Sequence, residues 1–288
     1  MSKKIGIVSL SSGILGEKDI KHEVEIGLQR LLEANLTVKF MPYSLKGINY
    51  LKKHPEKRAQ DLLLAFKDPE IDIILCAIGG DDTYRLLPYL FEHNELQEVV
   101  TNKIFLGFSD TTINHFMLHK VGINSFYGQS FIADVCEIGP EMLSYSHKYF
   151  RELITTGSIN EIKPSQVWFE ERKSFAIEQI GTKLLEHVNE GLKLLQGPSV
   201  FSGKILGGCI DSLYDMFDGQ RYKDMPALCR KYHLFPDLDD WKGRILLLET
   251  SEEKMSPDKY RKALNYLKET GLFKVISGII VGKPIDAI

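Results

Sequence analysis

The chain has 288 residues, 43% of them hydrophobic, which is enough for about two domains with apolar cores. Its 36 basic and 39 acidic residues are interspersed and leave a net charge of −3, so no basic field favours nucleic acid or an anionic membrane. The four scattered cysteines have neither the spacing of a zinc site nor the density of a disulfide scaffold, which indicates reduced thiols. No apolar run approaches the roughly 20 residues of a membrane span, so a cytoplasmic protein is expected.

Strand and helix patterns alternate through the first half of the chain. KKIGIVSL (Lys3 to Leu10) predicts a buried strand, and Lys18 to Asn35 has the apolar spacing of an amphipathic helix. The elements predicted after these are a strand at LTVKFMPYS, a helix at 58–67, a strand at 71–78, a helix at TYRLLPYLF and a strand at 103–108. This alternation predicts an α/β fold with a parallel sheet covered by helices on both faces.

The pattern loosens after residue 138. A helix-like stretch ends at Gly157, and a polar segment with a proline follows it. The sequence therefore predicts a domain boundary near residue 160, with an N-terminal domain at 1–160 and a smaller C-terminal α/β domain at 161–288. The segment 174–197 has ambiguous periodicity and is interpreted as a lid or an excursion.

The clearest helix signals lie near the C-terminus. Ser256 stands at a helix N-cap position, Pro257 at the first helical position, and Gly271 closes the pattern. The stretch VISGIIV that follows predicts a last strand.

Ser109 lies in IFLGFSDTTINHF, between a predicted strand and a predicted helix. Backbone N–H groups are unpaired at such a junction and the helix dipole is positive, so an alkoxide and a neighbouring oxyanion would be stabilised there. A serine before a helix is also a common N-cap. Spacing alone leaves both interpretations of Ser109 open.

The stretch AIGGDDTYRLL also has the strand, glycine turn and helix pattern. Gly79 and Gly80 allow close backbone approach and present N–H groups to a phosphate or an oxyanion. The stretch is similar to the GGDGT signature of NAD kinases and related phosphotransferases, but Asp82 replaces the last glycine and its charge would repel phosphate. A tight turn capped by Asp82 or Thr83 is the structural alternative.

Two further stretches end strands in the second half. Glu249 closes the strand of GRILLLETSEE, where a carboxylate points toward the ligand crevice of a parallel sheet and can orient a histidine. Gly207 and Gly208 in KILGGCIDSL suit a close backbone approach. The alternative for Glu249 is an ordinary surface glutamate. The alternative for Gly207 and Gly208 is a turn that serves packing.

No histidine is marked by its sequence position as a general base. His115 and His119 are four residues apart on one predicted helix, but no carboxylate completes a metal site, so no metal is expected. The other histidines lie in polar surroundings and are interpreted as surface residues: His22, His54, His93, His147, His187 and His233.

Taken in this order, four stretches resemble the serine-type LD-carboxypeptidase family, and in particular its branch of microcin C self-immunity proteins. They are AIGGDDTYRLL, then FLGFSDTTINHFMLHKVGINSFYGQS, then SGKILGGCIDSL, then GRILLLETSEEKMSPDKYRKALNYLKETGLFKVISGIIVGKP. The resemblance covers residues 77 to 286, and the combination of GFSD with a late LLLETSEE is specific.

The resemblance implies an active site in the groove between the two domains, without a cofactor, in a homodimer. Ser109 would be the nucleophile, the backbone N–H groups of Gly80 and Asp110 would hold the oxyanion, and Glu249 would orient the histidine. The positions predicted for substrate binding are Gly79, Asp81, Gly207, Gly208 and Trp168. For Trp168, stacking on an adenine and half-buried packing are both open. Substrates of the family are a murein tetrapeptide losing its terminal D-alanine or an aminoacyl-adenylate-like antibiotic.

The sequence departs from the family at the general base. The family's catalytic histidine lies far beyond the glutamate, and no residue here matches it, so the chain is expected to be truncated or to lack its base. A non-catalytic binder is the alternative in the second case. Arg85 and Arg172 are loose candidates for holding a substrate carboxylate.

Overall fold

The structure is a computed structural model that describes residues 2–283. Its N-terminal part is built on five parallel strands in the order β2-β1-β3-β4-β5. The strands are β1 (Lys4–Val8), β2 (Thr37–Phe40), β3 (Ile73–Cys76), β4 (Ile104–Gly107) and β5 (Phe126–Tyr127). The helices are α1 (Lys21–Glu33), α2 (Ile48–Lys53), α3 (Pro55–Lys67), α4 (Leu87–Phe91), α5 (Glu95–Val99), α6 (Thr112–Lys120) and α7 (Ser144–Thr156).

Short helical turns occur at the carboxyl ends of the strands. They are 3-10 turns at Ile14–Gly16, Thr83–Leu86 and Ser109–Thr111, and a π turn at Phe131–Val135. The helix expected at TYRLLPYLF therefore begins as a 3-10 turn and becomes α-helical only at Leu87. Pro88 at the start of α4 accounts for this, because proline suits the first turn of an α-helix and disrupts a helix interior.

A second sheet follows a largely exposed connection. The antiparallel pair β6 (Val167–Phe169) and β7 (Glu186–Val188) lies within this connection, and most of 174–197 is irregular. The second sheet is parallel in the order β10-β9-β8, with β8 (Ile205–Cys209), β9 (Ile245–Glu249) and β10 (Gly278–Val281). Its helices are α8 (Ile210–Asp215), α9 (Met225–Lys231), α10 (Leu238–Trp241) and α11 (Pro257–Glu269).

The two sheets share one apolar core. Val8, Ile74 and Phe105 face the same cluster as Leu206 and Leu246 of the second sheet. The alternate strand residues face the opposite side, where α1 and α7 cover them, and include Ile5, Ile7, Ile73 and Leu75. The expected α/β fold with a parallel sheet covered on both faces is confirmed.

The helix signals near the C-terminus are also confirmed. The Ser256 hydroxyl accepts a hydrogen bond from the Lys259 N–H at 3.3 Å, and Gly271 has a φ of +86°. The last five residues of the predicted C-terminal domain, 284–288, lie outside the described residues. Within 2–283, no helix is long and apolar enough to cross a membrane.

Gly207 is required where β8 passes β9. Its φ is +139°, and a Cβ there would lie 2.1 Å from the carbonyl oxygen of Leu247. We expect Gly207→Ala to lower the free energy of unfolding by about 3 kcal/mol or more, because the clash with β9 adds to the backbone strain. Gly122→Ala is the control, since Gly122 has a φ of +77° and open space around it. Equal losses for the two variants in urea unfolding would contradict this interpretation of Gly207.

Candidate active site

Ser109 occupies a strained turn between β4 and α6. Its φ is +60°, in the left-handed region that side-chain-bearing residues rarely adopt outside functional sites. Neither the 3-10 turn that begins at Ser109 nor α6 has a side-chain cap hydrogen bond, so Ser109 does not act as an N-cap. A strained, partly exposed serine at the carboxyl end of a parallel strand has the position of a nucleophile.

The glycine turn packs directly against this serine. A Cβ on Gly79 would lie 2.7 Å from the Ser109 Cβ and 3.0 Å from its Oγ, so only glycine leaves the hydroxyl this much room. Within the described residues, the backbone N–H groups of Gly80 and Asp110 donate no hydrogen bond. The turn and the serine therefore leave two N–H groups free for a negatively charged oxygen.

Asp82 fixes the glycine turn by ion pairing. Its φ is +56°, a conformation that suits the glycine of the related signature, and its carboxylate contacts Arg58 at 2.8 Å and Arg85 at 3.0 Å. Arg58 is fully buried and also donates to the Leu10 carbonyl at 3.0 Å. Two guanidinium groups therefore weaken the repulsion that the Asp82 carboxylate would exert on a phosphate. The Asp82 side chain makes no hydrogen bond that caps the following 3-10 turn.

Asp110 joins the glycine turn to the serine turn. Its carboxylate accepts a hydrogen bond from the Thr83 N–H at 3.0 Å, and burial raises the pKa of this carboxyl to about 7. The acid thus stabilises the relative position of the two turns, and its own N–H stays unpaired beside Ser109.

Tyr127 connects Ser109 to Glu249. The phenol oxygen accepts a hydrogen bond from the Ser109 N–H at 2.8 Å and donates one to Glu249 Oε1 at 2.5 Å. Burial raises the pKa of Tyr127, which keeps the phenol protonated as a donor. Burial also raises the pKa of Glu249, and the hydrogen bond from Tyr127 opposes that rise. The predicted nucleophile and carboxylate therefore meet at one phenol.

The sequence analysis did not select Tyr127. A signal was present, because Tyr127 ends β5 just before Gly128, at the same sheet edge as Ser109. Polar groups at the carboxyl ends of parallel strands meet in one crevice. The hydrogen bond to Glu249 depends on a contact 122 residues away, which no local pattern indicates.

Gly208 allows β8 to approach this cluster, whereas Gly207 serves packing. A Cβ on Gly208 would lie 2.6 Å from both Thr112 Oγ1 and Tyr127 Cε2. The Cys209 N–H donates to Thr112 Oγ1 at 2.9 Å, which ties the end of β8 to the start of α6. Of the glycine pair, Gly208 lies at the site and Gly207 lies against the β9 backbone.

The hydrogen bonds of Asp81 and the ring contact of Trp168 are with residues outside the cluster of Ser109, Tyr127 and Glu249. Asp81 is exposed and accepts hydrogen bonds from Arg221 at 2.5 Å and from the Tyr222 hydroxyl at 2.8 Å. Trp168 is half-buried in the β6–β7 pair and stacks on His187, with 4.3 Å between ring centroids. Asp81 thus borders the loop after α8, and Trp168 belongs to the exposed connection.

The loose carboxylate-binding candidates are already ion-paired. Arg85 contacts Asp82 and Asp224, and Arg172 contacts Glu137. Arg221, which the sequence analysis did not select, contacts the exposed Asp81 of the glycine turn.

His115 is structural in this arrangement. Its Nε2 donates to the Gly107 carbonyl at 3.0 Å, its Nδ1 bonds the Ser125 hydroxyl at 2.6 Å, and burial lowers its pKa to about 4. Among residues 2–283, no histidine forms a hydrogen bond with Ser109 or Glu249. The same residues contain no group of three or more histidine, cysteine or acidic side chains placed to hold a metal ion.

Comparison with known families agrees with this geometry. Residues 5–128 match the family described as LD-carboxypeptidase N-terminal domain, and residues 202–287 match the LD-carboxypeptidase C-terminal domain. The chain belongs to the LD-carboxypeptidase family.

Solved structures and a curated relative lie in the same family. The crystal structure of an MccF-like protein from Streptococcus pneumoniae in complex with AMP is 62% identical, with a TM-score of 0.98, over 99% of this chain and 83% of that one. An MccF-like protein from Bacillus anthracis is 26% identical, with a TM-score of 0.75, over 98% of this chain and 78% of that one. The microcin C7 self-immunity protein MccF of Escherichia coli is 25% identical over 79% of this chain and 60% of its own length. The matched part spans 59% to 67% of the length of four curated relatives.

Tyr127→Phe removes the donor to Glu249 and the acceptor for Ser109 N–H. We expect it to lower the free energy of unfolding by about 1.5–3 kcal/mol and to raise the pKa of Glu249, because the hydrogen bond stabilises the ionised carboxylate. Urea unfolding and ¹³C NMR titration of labelled glutamate measure the two effects, with Glu249→Gln assigning the signal.

Tyr149→Phe is the matched control for this variant. The Tyr149 hydroxyl accepts one hydrogen bond from the Lys163 N–H at 2.8 Å, far along the chain from Glu249. This variant is expected to lose about 1 kcal/mol and to leave the titration of Glu249 unchanged. The same Glu249 midpoint in both variants would rule out the coupling between Tyr127 and Glu249.

Proposed function

We propose that the protein is a serine hydrolase that transfers an acyl group to Ser109 and then to water. The observation that carries this proposal is the strained Ser109, joined through Tyr127 to Glu249 and bordered by the unpaired N–H groups of Gly80 and Asp110. Membership of the LD-carboxypeptidase family supports it.

The proposed reaction assigns a role to each group. Ser109 Oγ attacks the acyl carbon and loses its proton to a general base, for which the family resemblance implies a histidine that no residue of this sequence matches. The N–H groups of Gly80 and Asp110 stabilise the oxyanion of the tetrahedral intermediate. The proton then passes to the leaving group, and water releases the acyl group from Ser109 by the same steps. Glu249 would orient such a histidine and stabilise its cationic form. The site is proposed to lie in the groove between domains that divide near residue 160.

We propose an aminoacyl nucleotide as the substrate, in which the leaving group is a nucleotide or a sulfamoyl nucleoside. The crystal structure of the Streptococcus pneumoniae relative in complex with AMP supports a nucleotide as ligand. Trp168, a half-buried residue whose ring stacks on His187, is the proposed platform for the base. A murein tetrapeptide is the second candidate, because the family takes its name from LD-carboxypeptidases.

The test compares Ser109→Ala with the wild type on an aminoacyl sulfamoyl adenosine and on a murein tetrapeptide. The protein is produced from its own gene, and its intact mass is first compared with the 32.8 kDa of this sequence, which fixes the chain being assayed. We expect the turnover of Ser109→Ala to be at least about 1,000-fold lower than that of the wild type, because the nucleophile is lost.

Ser256→Ala is the control for that experiment. It removes the cap of α11, costs about 1 kcal/mol of stability and leaves turnover unchanged. Equal turnover by Ser109→Ala and the wild type would refute the proposed nucleophile. Tight binding of either compound by the wild type without turnover would favour the non-catalytic binder.

We further propose that the protein is a homodimer. The connection before β8 exposes an unusual number of apolar side chains, with Leu192, Leu195 and Val200 each 83% to 85% exposed. Exposed apolar surface of this kind is typical of an interface. Sedimentation is expected to give a dimer for the wild type and a monomer for the Leu192→Lys, Leu195→Lys double variant. A monomeric wild type at micromolar concentration would contradict the proposal.

We also propose a reducing, cytoplasmic location. Cys76, Cys136, Cys209 and Cys229 are all buried and unpaired. Burial raises the pKa of each of these thiols, which lowers their reactivity and favours the reduced form as a packing group.

A further inference from the structure

A cavity of about 1110 Å³ is lined by neither Ser109 nor Glu249, although Ile78 in its wall directly precedes the glycine turn. One wall is formed by the start of α1 and the π turn Phe131–Val135, and the other by the segment 171–184. Its lining is mainly apolar, including Ile20, Ile78, Ile132, Phe175 and Ile177. The cavity is thus large enough to hold a small organic molecule.

The segment 171–184 is held against the N-terminal domain by polar contacts. The Arg172 guanidinium contacts the Glu137 carboxylate and donates to the Thr182 hydroxyl at 2.7 Å. Glu137 also accepts the Gly139 N–H at 2.9 Å, and His22 Nε2 contacts the Phe175 carbonyl at 2.8 Å. These groups all have partners within the protein.

Glu23 differs from Glu137, the other buried polar residue of the cavity lining. It is 5% exposed and lines the cavity, yet it forms no hydrogen bond or ion pair with any residue in 2–283. Burial raises the pKa of Glu23, the charge of His22 opposes that rise, and Glu137 adds to it. Its carboxylate oxygens are not fully enclosed, so a cationic group in the cavity can reach and pair with them.

We propose that this cavity binds a small organic cation, with a primary ammonium group on Glu23 and an apolar body against Phe175 and the isoleucines. The lining carries five carboxylates against three lysine or arginine groups, so an anion is disfavoured. A neutral hydrocarbon would leave Glu23 unpaired. An ammonium group on an apolar body meets both requirements of the cavity. This site is separate from Ser109, so its occupancy does not depend on the proposed hydrolase activity.

The test is isothermal titration near neutral pH with 2-phenylethylammonium and its neutral isostere 2-phenylethanol. We expect the ammonium compound to bind at least about 10-fold more tightly than the alcohol, as one charge-assisted hydrogen bond would give. Glu23→Gln is expected to remove this preference. Glu25→Gln is the control, because Glu25 lines the same cavity from an exposed position on the same helix and is expected to leave the affinity unchanged.

Two further measurements locate the site and check the fold of the variant. The ammonium compound is expected to shift the methyl signals of Ile20, Ile132 and Ile177 and to raise the Tm of the wild type but not of Glu23→Gln. Without ligand, Glu23→Gln is expected to unfold at the same or a higher temperature than the wild type, since an unpaired buried charge is removed. Equal affinity for amine and alcohol, unchanged affinity in Glu23→Gln, methyl shifts only elsewhere, or no binding at millimolar concentration would each overturn the proposal.

Discussion

The hydrogen bonds of the Tyr127 phenol hold the candidate site together. The phenol oxygen accepts a hydrogen bond from the N–H of Ser109, which follows a strand of the first sheet. The phenol hydroxyl donates a hydrogen bond to the carboxylate of Glu249, which ends a strand of the second sheet. Close approach of the two sheets is possible because Gly208 has no side chain where β8 meets Tyr127 and Thr112. The shared apolar core supplies the rigid support that keeps these strand ends in register.

The strain and buried charge of the site are compensated by the elements around it. The left-handed backbone of Ser109 and of Asp82 is unfavourable by itself, and each is fixed by specific contacts: Tyr127 for the first, Arg58 and Arg85 for the second. Asp110 is buried and bonds the Thr83 N–H, which joins the two turns. These contacts offset the unfavourable backbone conformations. They hold N–H groups and a hydroxyl in a fixed arrangement, as acyl transfer requires.

Much of this arrangement could be predicted from the sequence because it depends on local patterns. The alternation of strands and helices predicted the α/β fold. The strand, glycine turn and helix patterns indicated Gly79, Gly80 and Ser109 as candidates, and a strand end indicated Glu249. Whether Ser109 is a cap or a nucleophile could not be decided locally, because both occupy the same position in sequence. The missing cap hydrogen bond and the φ of +60° support the proposed role of Ser109 as a nucleophile. Tyr127 and the ion pairs of Asp82 depend on long-range contacts, which periodicity does not encode.

The central claim is that Ser109 is a nucleophile held in a pre-formed site, and covalent labelling tests it most directly. The protein produced from its own gene is treated with a fluorophosphonate, digested, and analysed by mass spectrometry to locate the phosphonylated residue. The account predicts one modified residue, Ser109, with labelling slowed in Tyr127→Phe because the serine turn and Glu249 lose their common partner. Labelling of another residue, or none at Ser109 under conditions that label a known serine hydrolase, would contradict it.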